Sequence, residues 1–283
     1  MGKHAFLIIA HNEYEVLQQL VESLDCPEAD IYIHIDKKTA RLPSLKTKFS
    51  RLIILKNREK VYWGTVNQIK TETALLREAY ASGIHYDYYH LLSGIHYPLR
   101  PIREILSFFE SSGGKSVVQP MEDTEEAKNK RLGKYHFLLK YYRSPNIRLA
   151  KAYHVAWKIS LKIQQIIGVR RNTSFCGGKS SNWCSLTDEA VGKWLEDEKK
   201  IFKRFRWTYC ADEYVTMSVL KEHNLPFTEC TTMLYQKFVK GNPMVFSPKD
   251  YRELIESGAF YGRKFTKNSL ALIELIRNGG TKN

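Results

Sequence analysis

The stretches Ala5-Phe6-Leu7-Ile8-Ile9-Ala10-His11 and Ile31-Tyr32-Ile33-His34-Ile35-Asp36-Lys37 decide the fold class. The first is an apolar run that stops at His11; the second, interrupted by His34, ends at Asp36. A run of this length, bounded by polar residues, reads as a strand buried on both faces. Between the two, Val16, Leu17, Leu20 and Leu24 recur at helical spacing, so Tyr14–Ser23 reads as a helix. The alternation continues: a strand at Leu52–Leu55, then a helix over Val66–Ala81 with an inward stripe of Ile69, Thr73, Leu76 and Tyr80. Tyr88–Leu92 is a strand closed by Ser93-Gly94, Pro101 opens a helix running through Phe109, and Ser116–Val118 is a short strand. This is the pattern of an α/β protein with a mostly parallel central sheet. Such sheets bind ligands outside the carboxyl ends of their strands. Here those ends are His11-Asn12, Asp36-Lys37, Ser93-Gly94 and Gln119-Pro120.

The 283 residues suit one domain with an insertion. With 43% hydrophobic and 26% charged residues the composition is that of a globular chain, and disorder or collagen is excluded. No apolar run is long enough for a membrane span, and Ala5–Ala10 is too short for a signal-peptide core. Five scattered cysteines fit a reducing compartment, so a cytoplasmic location is expected. No GxGxxG, P-loop, CxxC or HExxH pattern occurs, which disfavours a Rossmann oxidoreductase, a P-loop enzyme and a zinc site.

The net charge is +14, and it is concentrated. From Ala127 to Thr187 there are thirteen Lys or Arg and no Asp or Glu. So one-sided a field attracts an anionic partner, the alternative being a solvated insertion. Within it, residues 144–167 read as a helix with Ser144 as N-cap and Pro145 at its first position. It mixes Leu149, Tyr153, Trp157, Ile159 and Ile163 with Arg148, Lys151, Lys158 and Lys162. Such a helix can lie on a membrane surface or pack its apolar side on the main domain. No nucleic-acid motif accompanies the charge, so nucleic acid is not expected as a partner.

Beyond the window the regular pattern returns. Trp183–Leu186 suggests a strand, and Thr187 caps a helix to about Asp197. Tyr209-Cys210-Ala211-Asp212-Glu213 leads into a helix through Leu220, and Pro248 starts another with Tyr251, Leu254 and Ile255 inward. Phe260-Tyr261-Gly262-Arg263-Lys264-Phe265 is a short aromatic and basic segment, and Ser269 caps a last helix.

Taken in order, Phe6–His11 with His34–Lys38, Val61-Tyr62-Trp63-Gly64, Leu91-Leu92-Ser93-Gly94-Ile95-His96-Tyr97-Pro98-Leu99, Asn182–Thr187 with Asp212-Glu213, and Arg263-Lys264-Phe265 resemble one family. It is the core-2/I-branching β-1,6-N-acetylglucosaminyltransferase family, which includes the peptide O-xylosyltransferases; a bacterial-type member is expected. The resemblance implies a GT-A-like nucleotide-diphospho-sugar transferase fold with a basic helical insertion. It implies one glycosyltransferase domain over 1–283: a nucleotide-binding half at 1–120, the insertion and start of the acceptor half at 127–187, and a catalytic and diphosphate-binding half at 188–283. It also implies inverting transfer of a sugar from UDP to a glycan hydroxyl, with a β linkage and no metal. Asp-x-Asp, the usual metal motif of the fold, is absent; the nearest cluster, Glu196-Asp197-Glu198, reads as the solvated face of a helix.

Inverting transfer needs a carboxylate base opposite the leaving group. The resemblance carries that role to Glu213, with Asp212 beside it as the neighbour that would tune its basicity upward. A departing diphosphate without a metal needs fixed cations, which the resemblance assigns to Arg263 and Lys264, with Lys267 as a further candidate. The nucleoside falls to His11 and Asp36, where Asp36 would accept from the uracil N–H or a ribose hydroxyl. Tyr62, Trp63 and Gly64 shape the donor pocket or simply pack. Ser93, Gly94, His96 and Trp183 are candidates for the sugar or acceptor pocket, Trp183 as a stacking surface or as core. His96 stands where the family commonly has Asp, and Ser180 where it commonly has Gly, which leaves the donor open between N-acetylglucosamine and xylose. UDP-sugar and a glycan acceptor, lipid-linked at the inner membrane face, are the expected partners, and no cofactor is expected. The competing reading is a non-catalytic, anion- or membrane-binding protein that keeps the fold.

Overall fold

The computed structural model describes residues 2–279 except 172, 175 and 240. In chain order the first elements are β1 (His4–Ala10), α1 (Tyr14–Leu24), β2 (Ala29–Ile35), β3 (Arg51–Ile54), α2 (Val66–Tyr80), β4 (Tyr88–Ser93) and β5 (His96–Pro98). Next come α3 (Ile102–Ser111), β6 (Ser116–Val118), α4 (Glu125–Arg131), a 3-10 turn at Leu139–Tyr141, α5 (Ile147–Ile166) and β7 (Ser185–Thr187). The chain continues through α6 (Asp188–Glu196), α7 (Glu198–Phe205), α8 (Asp212–Glu222), β8 (Phe227–Glu229), β9 (Leu234–Gln236), β10 (Phe238–Val239) and β11 (Asn242–Pro243). It closes with α9 (Tyr251–Glu256), β12 (Tyr261–Arg263) and α10 (Leu270–Arg277).

The main sheet has the order β3-β2-β1-β4-β7-β6-β8. Strands β1 to β4 are mutually parallel, β6 and β8 pair in parallel, and β7 runs antiparallel to both β4 and β6. β1 therefore lies inside the sheet and is covered on both faces, as its unbroken apolar run requires. The two-residue period of the strand divides its side chains. Ala5 and Leu7 join the core under α2, α6 and α8, while Phe6, Ile8 and Ala10 join Leu17, Leu20 and Leu24 of α1 and Phe109 of α3.

A second sheet, β5-β12-β9, had no counterpart in the sequence reading. Its strands are three residues long and drawn from distant parts of the chain, so no periodic pattern marks them. It packs Tyr97 and Leu99 on Phe246, Leu254, Phe265, Leu272 and Ile273. β7 and β8 complete the main sheet.

Several local expectations shift. α5 starts at Ile147 because Asn146, not Ser144, caps it, its Oδ1 accepting from the N–H groups of Arg148 and Leu149. Asp197 sits between α6 and α7 rather than inside one helix, paired with Lys200 and His223 at 3.0 Å each. Ile255 is exposed, and the stripe of α2 ends before Tyr80, which is also exposed. Tyr153 and Trp157 of α5 turn inward, where the Tyr153 hydroxyl donates to the Phe137 carbonyl and Trp157 Nε1 to His136 Nδ1. Val155, Ile159, Ile163 and Ile166 remain exposed. None of the described helices is long and apolar enough to cross a membrane.

Candidate functional site

A cleft of about 570 Å³ opens at the carboxyl ends of β1, β2 and β4. It gathers residues from along the whole chain: His11 and Asp36, Tyr62 and Trp63, Ser93 and Gly94, Trp183, Asp212 and Glu213, and Arg263 and Lys264. Gly94 is there for space. A Cβ at this position would stand 2.7 Å from that of Ala10, at the point where the chain leaves β4 and its N–H donates back to the Ile9 carbonyl.

Three expected site residues do not line the cleft. Gly64 is buried behind it with a φ of +71°, its carbonyl accepting from Cys210 N–H and its Cα facing the Tyr209 ring, so it shapes the turn and not the pocket. Lys267 lies outside, its backbone N–H donating to Glu13 Oε2 at 2.6 Å. His96 is fully buried beneath the floor, edge-on to Trp183 at 4.9 Å. Its Nδ1 accepts from Ser93 N–H at 2.7 Å, so the ring proton belongs on Nε2, which has no partner. Burial, assisted by Arg263, holds this imidazole well below its usual range, and it is neutral.

One wall of the cleft is held by ion pairs and rings. Asp36 Oδ1 accepts from Lys38 N–H at 2.9 Å, and its Oδ2 lies 3.3 Å from Lys38 Nζ. That ammonium also donates to the Val61 carbonyl and sits 4.7 Å over the Tyr62 ring. Trp63 stacks beneath Arg143, whose guanidinium is 3.8 Å from the ring centre. Arg263 donates to Gln236 Oε1 at 3.2 Å and lies over Trp183, with its Nε unpartnered. Burial, with Arg143 nearby, pulls Arg263 below the ordinary guanidinium range. Two guanidiniums set close together make a place for an anion.

The acidic pair at the start of α8 is asymmetric. The buried partner is Asp212, not Glu213. Asp212 Oδ2 accepts from Gln68 Nε2 at 2.8 Å and Oδ1 has no partner. Burial, and next the charge of Glu213, push its carboxyl up to about 7. Beneath it Glu72 of α2 is wholly buried, accepting from Asn182 Nδ2, and burial together with Asp212 keeps it well above the carboxylate range. Glu213 instead reaches two cations, Arg131 and Lys179, both on its Oε2, with Lys179 at 3.5 Å. Lys38, Gln68, Glu72, Arg131, Lys140, Arg143, Lys179 and Gln236 were not singled out from the sequence. The acid-free window pointed to Arg131, Lys140, Arg143 and Lys179 as a group, but no spacing told which of its cations meet the cleft.

Among the described residues no three or more His, Cys, Asp or Glu gather to hold a metal ion. A helix-flanked, mostly parallel sheet with a polar cleft at its carboxyl edge is the GT-A-like α/β arrangement. Residues 4–235 match the family model described as Core-2/I-Branching enzyme, and the chain belongs to that family.

The chain is 22% identical over 230 residues to the human beta-1,3-galactosyl-O-glycosyl-glycoprotein beta-1,6-N-acetylglucosaminyltransferase, a match covering 78% of this chain and 49% of that protein. It is 20% identical over 152 residues to the human N-acetyllactosaminide beta-1,6-N-acetylglucosaminyl-transferase, covering 52% and 38%. To the xylosyltransferase oxt of Drosophila melanogaster it is 22% identical over 107 residues, covering 36% and 12%. The chain thus spans half or less of the length of these curated relatives. Among solved structures, apo mouse xyloside xylosyltransferase 1 is similar at a TM-score of 0.43 and 11% identity, over 93% of this chain and 97% of that one.

Proposed function

We propose that this chain is an inverting glycosyltransferase that moves a sugar, in the first instance N-acetylglucosamine, from UDP to a glycan hydroxyl with formation of a β linkage. The observation that carries the reading is the meeting of a reachable carboxylate, Glu213, and an anion-seeking pair, Arg263 and Lys264, in one cleft of sugar-nucleotide size. In this mechanism the acceptor oxygen attacks the anomeric carbon, the bond from that carbon to the diphosphate oxygen breaks, and UDP leaves with the electron pair. Glu213 takes the acceptor proton. Arg263 and Lys264 meet the charge growing on the diphosphate, which is the task a metal performs elsewhere. His11 and Asp36 face the nucleoside, and Trp183 offers a flat surface to a sugar ring.

Calorimetric titration with UDP, UDP-N-acetylglucosamine and UDP-xylose, with EDTA and with Mn²⁺, tests the donor. Binding in EDTA is expected, and Arg263→Ala is expected to weaken it at least tenfold through loss of a phosphate ligand. Binding seen only with Mn²⁺, or unchanged in the variant, would count against the assignment. The second reading is UDP-xylose, since His96, buried under the floor, stands where the resemblance would put a carboxylate for sugar hydroxyls. The acceptor is proposed to be lipid-linked at a cytoplasmic membrane face. Val155, Ile159, Ile163 and Ile166 form one exposed stripe of α5, flanked by exposed Lys151, Lys158 and Lys162, a combination suited to an anionic bilayer surface.

A further inference from the structure

Resting on the role given to Glu213 above, we propose that the acceptor is an acidic glycan whose negative charge lies beside the attacked hydroxyl and draws Arg131 and Lys179 away from the catalytic base. Both cations stand on Glu213 Oε2. All three side chains are largely sheltered, with 25%, 11% and 21% exposure for Arg131, Lys179 and Glu213. Both cations occupy the carboxylate oxygen that an acceptor hydroxyl has to reach. An acceptor hydroxyl close enough to be deprotonated by Glu213 places its own ring against the same two cations. A neutral sugar offers them nothing and leaves that oxygen in its ion pairs. A sugar carrying a uronate carboxylate or a phosphodiester offers them a better partner and frees Glu213 as it docks.

The charge pattern of the cleft agrees. Lys140 and Arg143 line it, and Arg131 and Lys179, which do not, meet it through Glu213; all four come from the acid-free window. Neither Lys140 nor Arg143 has a carboxylate within ion-pair distance among the described residues, whereas Lys38 on the donor side is matched by Asp36. Lys179 is held in place by the Glu122 carbonyl at 3.1 Å, and Arg131 lies over the Tyr209 ring at 5.8 Å, so both cations are positioned before an acceptor arrives.

The test uses the full chain saturated with UDP and two pairs of probes: a hyaluronan tetrasaccharide with its carboxyl-reduced counterpart, and a glycerol phosphate hexamer with an uncharged oligoglycerol of equal length. Binding to each is measured by calorimetry. In at least one pair the charged member is expected to bind about tenfold tighter, and whichever pair discriminates identifies the carboxylate or the phosphodiester as the source of charge. Lys179→Gln and Arg131→Gln, made separately so that one folded variant suffices, should each shrink that ratio. Equal affinity within both pairs, including no binding to any probe, overturns the proposal, as does a charge preference that both variants retain. A preparation that fails to bind UDP refutes the donor reading instead, so the two failures are told apart.

Discussion

Asp212→Asn isolates the electrostatic cost built into the cleft floor. In the folded chain the Asp212 carboxyl sits at about 7, against an ordinary value of 3.8, because it is buried and faces Glu213. An acid whose folded value is raised binds its proton more tightly folded than unfolded. The cost of ionising it in place is therefore fully present above pH 7, declines as the pH falls toward 4, and is gone below that. At about 1.4 kcal/mol per unit, it amounts to about 4 kcal/mol at pH 8 and under about 2 kcal/mol at pH 5. Asn has the same shape, keeps an oxygen for Gln68 and carries no charge. Any fixed cost of burying its amide enters equally at both pH values, so the decisive quantity is the change in the variant's advantage between them. For a domain of this size roughly 2 °C accompanies each kcal/mol. Scanning calorimetry of wild type and variant should show the variant's Tm advantage larger at pH 8 than at pH 5 by about 5 °C. An advantage that is flat with pH, or larger at pH 5, would refute the reasoning. Glu72→Gln should follow the same direction, since Glu72 is buried against the same carboxylate.

Glu213→Gln should leave UDP affinity within about twofold of wild type and lower the transfer rate by roughly a hundredfold or more, the usual worth of a general base; quantifying released UDP in the presence of acceptor decides it, and a near wild-type rate would remove Glu213 from the role. Replacing Ile159 and Ile163 together by Ser should cut co-sedimentation with vesicles containing phosphatidylglycerol several-fold without changing Tm, since both side chains are exposed; unchanged co-sedimentation would detach the membrane proposal from α5.

The legible and illegible parts of the molecule separate cleanly by residue. β1 and β2 were readable because strands buried on both faces are mostly apolar, and the polar groups that follow them, His11 and Asp36, fall at the cleft where the sheet ends. The site residues drawn from the family resemblance mostly reach the cleft, because they sit at strand ends or helix starts that the sheet brings to one edge. Gly64, His96 and Lys267 lie beside their expected neighbours in sequence yet do not line it. One step along a strand or turn reverses the direction of a side chain, and His96 pairs across β5 and β12 with its ring inward.

The sequence by itself determined the α/β architecture, the strand ends that meet at the cleft, and the concentration of positive charge in residues 127–187. These rest on local periodicity and composition, which the chain carries wherever it folds. Only the tertiary structure decided which of those positive charges matter. Arg131 and Lys179 meet Glu213 through the packing of α4 and the chain around Ser180 on α8, where Ser180 N–H donates to the Glu213 carbonyl. It also decided which acid of the pair is buried: Gln68 and Glu72 come from α2, far away in the chain, and their placement under Asp212 gives two adjacent carboxylates opposite surroundings. Burial and charge proximity are properties of the folded surface, and no spacing along the chain encodes them.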